Sequence, residues 1–388
     1  MIYLDYNATT PLSPAAGRAM QPYFERHFGN PSSVHAAGRK TRAALDDARD
    51  RLASLLGAKP HEIIFTSGGT EANNLALLGL ARRGAPNGKH LISKRIEHHA
   101  VLHTLEHLEK REGFEVTWLE VSPEGLVDPD ALERAIRAET ALVSMMTANN
   151  ETGVIQPMHE IAARCQKHGV LLHSDMVQSF GKLPTDLTGI DAASFGAHKF
   201  YGPKGAGFLY LRAGLPIDRI QFGGSHEGER RPGTENVPAI VGMAAAAEEV
   251  LRDLPNEQAR EEELRDELWR GLEGIAPGLQ QNAATAPRLA NTLNVSFPGF
   301  SSETLLMALD LEGVCASSGS ACMVGSVVAS HVLLALGLPN ERAASAIRFS
   351  LGKETTSSEI EQTVAAVERI LQRRASRVPP APAPHALV

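Results

Sequence analysis

Three stretches of this 388-residue chain combine residue types and spacings that could do chemistry. In EIIFTSGGTEANNLA, a predicted strand turns through Gly68 and Gly69 to Thr70 and into a helix. That arrangement offers free N–H groups and the positive end of a helix to an anion such as a phosphate. An ordinary strand-to-helix turn is the competing account, since neither the GxxxxGK[ST] loop nor the GxGxxG pattern is present. The run VLLHSDMVQSF stays largely apolar until Asp175, placing a carboxylate at the carboxyl edge of a sheet, where open α/β folds bind ligands. A loop-capping or Arg-paired Asp would read the same way. In SFGAHKFYGPKGAGFLYL, His198 and Lys199 stand between a strand and a Gly-rich turn. A lysine held there and partly desolvated has a lowered pKa and suits Schiff-base chemistry, whereas most loop lysines are simply solvated.

In chain order these are a phosphate anchor, a partner for a pyridinium nitrogen and an aldehyde-binding amine, the parts that a pyridoxal 5'-phosphate site requires. Other residues join them. The polar NNETG follows the strand ALVSMMTA, so Asn149 or Asn150 could hydrogen-bond a cofactor oxygen. His98 could stack on an aromatic cofactor or move protons. His99, His103 and His107 share a helical face, but no carboxylate or cysteine stands at ligand spacing, and no metal site is expected. Arg348, in AIRFSLG, is flanked by apolar residues and needs an anion, either a substrate carboxylate in bidentate contact or a structural salt bridge. Of three cysteines, Cys165 reads as helix packing and Cys315 as buried filler. Cys322, among the small residues of CASSGSACMVGSVVAS, reads as an exposed thiol and a candidate nucleophile.

These residues need a scaffold. Short apolar runs alternate with amphipathic ones from EIIFTS to VLLHSD, which predicts a largely parallel sheet covered by helices on both faces. We place this large domain at 15–254. A break at LRDLPNEQ precedes a charged helix with Leu264, Leu268 and Leu272 on one face. A smaller α+β domain, 1–14 with 255–373, follows, and the Pro/Ala-rich tail 374–388 is expected to be disordered. With 38 Lys and Arg against 45 Asp and Glu, the net charge of −7 gives no field to draw nucleic acid or an anionic membrane. There is no apolar run of ~18 residues and no leader pattern, so a cytoplasmic chain with free thiols is expected.

The motifs TSGGTEANNLA, EHHAVL, NNETGVIQP, HSDMVQSFGKLP, AHKFYGPKG, RRPGTENVPAIVG, SSGSAC and IRFSLG together resemble, in order, a cysteine desulfurase of the NifS/IscS type. That family lies in the class V aminotransferase group of fold-type I pyridoxal phosphate enzymes. The resemblance implies a seven-stranded, mostly parallel sheet in the large domain and conversion of L-cysteine to L-alanine. It implies that Lys199 carries the cofactor's aldehyde, Asp175 pairs with the ring nitrogen and His98 stacks on the ring. Asn150 and Gln178 would contact the phenolic oxygen, and Gly69, Thr70 and His198 would hold the phosphate. Thr234 would reach the phosphate of a neighbouring subunit, which implies a homodimer. Arg348 would take the substrate carboxylate, and Cys322, 26 residues before it, would form a persulfide for a sulfur-acceptor or iron–sulfur scaffold protein. A selenocysteine lyase or another class V enzyme is the alternative. Gly196 departs from the family's usual phosphate-binding Ser, which predicts a loss of about 1.5–3 kcal/mol in cofactor binding if nothing substitutes.

Overall fold

The computed structural model describes residues 1–84, 88–319 and 329–375. Cys322 and most of the predicted disordered tail lie outside the described residues. The chain opens with strand β1 (Ile2–Tyr3) and helices α1 (Pro14–Glu25) and α2 (Ala36–Leu55). Strands and helices then alternate: β2 (Ile63–Thr66), α3 (Gly69–Gly84), β3 (His90–Lys94), α4 (His99–Glu112), β4 (Glu115–Leu119), α5 (Pro129–Ala135), β5 (Thr140–Ser144), α6 (Met158–His168) and β6 (Leu171–Asp175). Strands β7 (Ala192–Gly196) and β8 (Gly207–Leu211) follow, then α7 (Val237–Arg252) and α8 (Leu254–Ile275). The last part holds β9 (Gln280–Gln281), β10 (Thr292–Ser296), α9 (Ser302–Leu311), β11 (Val314–Cys315), α10 (His331–Ala335), α11 (Asn340–Ala344), β12 (Ala346–Ser350) and α12 (Ser357–Ala375).

Seven strands form one sheet in the order β2-β8-β7-β6-β5-β3-β4, with β8 alone running antiparallel to its neighbours. Its strands are almost wholly buried because helices cover both faces, so they read as apolar runs rather than alternating ones. Polar residues inside it are paired: His173 in β6 lies between Ser144 Oγ at 2.9 Å and Ser194 Oγ at 3.0 Å, and burial drives its pKa down to about 3. The ring therefore stays neutral, as a central strand demands.

Local signals place the helices. Ser13 caps α1 by accepting from the Ala16 N–H, and α4 ends at Gly113, whose φ of 71° is the left-handed conformation that glycine adopts without a Cβ penalty. One apolar cluster gathers Ile2 and Leu4 with Leu264, Leu268 and Leu272 of α8, Phe349 of β12 and Val367 of α12. The predicted leucine face of α8 is thus buried, and the first residues of the chain pack in one cluster with α12. Under the turn after β7, Phe180, Phe195, Phe200 and Phe208 form a buried aromatic floor, with Phe195 and Phe208 stacked at 4.3 Å and Phe180 edge-on to Phe200 at 4.8 Å.

Candidate active site

The carboxyl ends of the parallel strands deliver most of the predicted residues to one cavity of about 660 Å³. Asp175 closes β6. Its Oδ2 accepts from Asn73 Nδ2 at 2.7 Å and its Oδ1 from the Val177 N–H at 2.9 Å, so both oxygens of this buried carboxylate are held in place. Lys199 ends the 3-10 turn that follows β7, above the aromatic floor. Its Nζ donates to the carbonyls of Asn7 at 2.5 Å and Ala8 at 2.9 Å. Burial lowers its pKa to about 7, aided by the charges of Lys182 and Arg348 and opposed by Asp5 and Asp175. The desolvated lysine expected from the sequence is present, and a substantial fraction of it is free amine at neutral pH.

His98 caps α4, its Nδ1 accepting from the Ala100 N–H at 3.1 Å, so the neutral ring carries its proton on Nε2. The ring borders the open cavity and solvent reaches it, yet the surrounding protein desolvates it enough to lower its pKa. His99 stacks on His103 at 4.9 Å and on His331 at 4.6 Å. Among the described residues no group of three or more His, Cys, Asp or Glu is arranged to hold a metal.

At the opposite end of the cavity α3 begins at Gly69, with Thr70 exposed in its first turn. Gly69 must be glycine for space: a Cβ there would lie 2.5 Å from Val177 Cγ2. His198 Nδ1 lies 3.3 Å from Thr9 Oγ1, and burial together with Lys199, Lys204 and Lys182 pushes its pKa down to about 4. At Gly196, a Cβ would stand 3.3 Å from the Gly69 nitrogen, so a serine would enter this corner with a small adjustment. Thr234 is exposed and does not line the main cavity. It lines a separate one of about 200 Å³, together with Ser67 and Gly205, which border both.

The remaining wall comes from elsewhere in the chain. Arg348, in the middle of β12, is buried and donates from Nη1 to the Asn150 carbonyl at 2.8 Å and from Nη2 to Asp5 Oδ1 at 2.7 Å. The predicted anionic partner is therefore present within the chain as Asp5, while Arg348 still lines the cavity. Asn149 and Asn150 divide the roles left open by the sequence. Asn149 is fully buried, donating to the Ile96 carbonyl at 2.9 Å and accepting from the N–H groups of Glu151 and Thr152, so it shapes the turn. Asn150 lies on the cavity wall. Gln178 donates from Nε2 to the Asn7 carbonyl at 2.8 Å and accepts from Lys182 Nζ at 2.8 Å.

Several site residues were given no role by the sequence. Asp5 and Asn7 lie in a short N-terminal segment, while Asn73 and Lys182 lie within the motifs TSGGTEANNLA and HSDMVQSFGKLP. Only the tertiary contacts show what they do. Glu151 belongs to the NNETG motif that was noted for its asparagines. It is fully buried, burial raises its pKa to about 7, and it accepts a short hydrogen bond from Ser330 Oγ. Of the other cysteines, Cys165 is fully buried with its pKa pushed up to about 12, as packing requires, while Cys315 is only partly buried.

The residues present fit pyridoxal phosphate. Asn150 Oδ1 and Arg348 Nε, a buried acceptor and a buried donor on the wall, have no partner among the described residues. An amine poised to lose its proton, a doubly held carboxylate and a helix start surround the same space as these two atoms.

The family model described as aminotransferase class-V matches residues 2–363. A protein of Dictyoglomus turgidum named cysteine desulfurase IscS is 46% identical over 374 residues, covering 96% of this chain and 95% of its own length. Another of that name, from Methanosarcina thermophila, is 44% identical, with 98% and 94% covered. Among solved structures, a protein titled NifS-like superposes with a TM-score of 0.90 at 37% identity, covering 96% of this chain and 99% of its own.

Proposed function

The chain belongs to the aminotransferase class-V family, as one of its cysteine desulfurases, and from that premise we propose how its residues divide the work. The family depends on pyridoxal phosphate in general, and this chain is read as a pyridoxal phosphate enzyme acting on L-cysteine. The observation that carries the reading is the placement of Lys199. Its amine is desolvated, with the cations Lys182 and Arg348 outweighing the anions Asp5 and Asp175, near neutrality in pKa, and in one cavity with Asp175 and Arg348.

When bound, the cofactor supplies an electron sink that makes the substrate's Cα–H and C–S bonds breakable. Lys199 would hold the cofactor's aldehyde, and its Nζ, when free, would take the substrate's Cα proton as a general base. Asp175, fastened by Asn73 and the Val177 N–H, would pair with the ring nitrogen. His98 covers the ring and presents its Nε2–H to the cavity; it can take the substrate thiol's proton only once Nε2 has given up its own or Nδ1 has released the Ala100 N–H. Gly69, Thr70 and His198 hold the phosphate, with Thr234 of a second copy completing that end in a homodimer. Asn150 and Gln178 orient the phenolic oxygen.

Arg348 takes the substrate carboxylate through its free Nε, with Asp5 keeping the guanidinium in plane. Cys322, by its motif, attacks the substrate sulfur as a thiolate. The C–S bond breaks, the sulfur stays as a persulfide on Cys322, and the three-carbon remainder leaves as L-alanine. An acceptor protein then receives the sulfur, the step that serves iron–sulfur assembly. Residues 15–254 act as the cofactor-binding domain, and 1–14 with 255–373 as the domain that carries Arg348 and Cys322. No described helix is long and apolar enough to cross a membrane, and we read the enzyme as cytoplasmic.

The test is alanine release from L-cysteine, with a reductant to discharge the persulfide, by the wild type and by Cys322→Ala. Alanine from the wild type alone supports the reading and its nucleophile. Equal release from both removes Cys322 from the reaction. Release only from L-selenocysteine points to a selenium lyase.

A further inference from the structure

Behind the cavity stands a cation that the reaction as described leaves unused. Lys182, in the loop after β6, donates from Nζ to Gln178 Oε1 at 2.8 Å and to the Gln178 carbonyl at 3.3 Å. An ammonium can only donate, so it must meet the amide oxygen of Gln178. The amide nitrogen is thereby turned the other way, onto the Asn7 carbonyl at 2.8 Å. That same carbonyl accepts from Lys199 Nζ at 2.5 Å. Lys182, Gln178, Asn7 and Lys199 thus form one chain of hydrogen bonds in which each donor and acceptor is dictated by its neighbour. Lys182 also lines a cavity of about 20 Å³ between Lys199 and Glu261, so the two lysines lie on one small space.

We propose that Lys182 is a positioning residue for Lys199. From behind the site it sets which end of the Gln178 amide faces Asn7, and it maintains a second positive charge against the Lys199 amine.

The charges around both groups agree with this. Lys199 faces Lys182 and Arg348 as cations and Asp5 and Asp175 as anions, and Lys182 has the largest effect of the four. Lys182 in turn faces Glu261, buried on α8, and Arg348. Burial lowers the Lys182 pKa and Glu261 opposes that fall, while burial raises the Glu261 carboxyl well above its usual range. Lys182 thereby presents its ammonium to Lys199 from a place where a solvated lysine would be screened. Gln178 gains a single orientation, with its N–H group committed to the cavity side before any ligand arrives.

This proposal deepens the reading of Lys199 as the aldehyde-binding amine and rests on it, but its test does not need the loaded enzyme. The full chain, freed of cofactor, is labelled with trace acetic anhydride across pH 5–10, and Lys199 acetylation is followed by peptide mass spectrometry. Wild-type Lys199 should titrate near pH 7. Lys182→Gln should move the midpoint up by about one pH unit, cutting the reactive fraction at pH 7 about fivefold. Lys182→Arg, which keeps charge and donors, should restore the wild-type midpoint. If Lys182→Gln does not fold, because Glu261 is left buried without its cation, the double variant Lys182→Gln/Glu261→Gln removes both and should show the same upward shift.

A midpoint unchanged in the folded Gln variant, or shifted equally by Gln and Arg, overturns the proposal. Those outcomes leave Lys199's own role standing. That role falls instead if borohydride fails to trap pyridoxal phosphate on the Lys199 peptide of the wild type.

Discussion

The two walls of the cavity are built differently. The wall assigned to the cofactor is made at the carboxyl ends of strands of one sheet: Gly69 after β2, His98 after β3, Asp175 at the end of β6 and Lys199 after β7. Backbone hydrogen bonds of the sheet and the aromatic floor hold these positions. The wall assigned to the substrate is assembled from remote pieces, with Asp5 and Arg348 separated by 343 residues and joined by an ion pair beside the backbone bonds of Leu4 and Tyr6 to Ser350. The chemistry thus rests on a rigid sheet edge, while recognition rests on the docking of distant segments. Substitutions on the first wall should abolish the reaction or the fold, and those on the second should weaken binding in graded steps.

The contrast is broken most forcefully at Lys199. Lys199→Ala should reduce alanine formation roughly a thousandfold or more, because the aldehyde-binding amine and the general base go together. Single-turnover alanine release checks it, and activity within tenfold of wild type would end the assignment. The floor beneath comes next. Phe195→Ala should destabilise the fold by about 3–5 kcal/mol, the cost of a cavity in a packed core, as measured by urea unfolding. A change below about 1 kcal/mol would mean the floor is not tightly packed.

On the substrate wall, Arg348→Ala should raise KM for L-cysteine by roughly 30- to 1000-fold through loss of a charge-assisted contact. Arg348→Lys should fall between, since an ammonium lacks the bidentate fork. Equal KM for all three would return Arg348 to a purely structural role with Asp5. The pH dependence sharpens the cofactor wall. Lys199 is held below the usual lysine range, at about 7, so protonation costs it reactivity below that pH and not above. The rate at which apo-protein captures pyridoxal phosphate should therefore rise as pH increases through about 7 and then level off. A rise centred near pH 10 would contradict the depressed pKa.

The smallest effect is expected at Gly196. The corner beside the Gly69 nitrogen admits a Cβ at 3.3 Å, so Gly196→Ser should add one hydroxyl donor at the phosphate end and tighten cofactor binding by up to about tenfold. Equilibrium dialysis measures this, and weaker binding would mean that the corner cannot adjust.

What the sequence determined by itself is the part of the molecule written in contiguous residues. Strand-to-helix alternation predicted the parallel sheet, because a strand buried on both faces must be an apolar run. The junction positions of Gly69, Asp175 and Lys199 followed, because strand ends in such a sheet meet at one edge. The motif order also pointed to the family. The leucine spacing in α8 marked a buried face, although not that Ile2 and Leu4 would share its core. Which of Asn149 and Asn150 reaches the cavity was undecidable from their identical chemistry; the family resemblance named Asn150, and the turn's own hydrogen bonds give the physical reason by committing Asn149 elsewhere. Asp5 as the partner of Arg348, Asn73 as that of Asp175, and the Lys182–Gln178–Asn7–Lys199 chain belong to the tertiary structure alone. Each depends on groups far apart in the chain whose types are common everywhere, and whose meaning arises only when folding removes them from water and leaves each one a single partner to find.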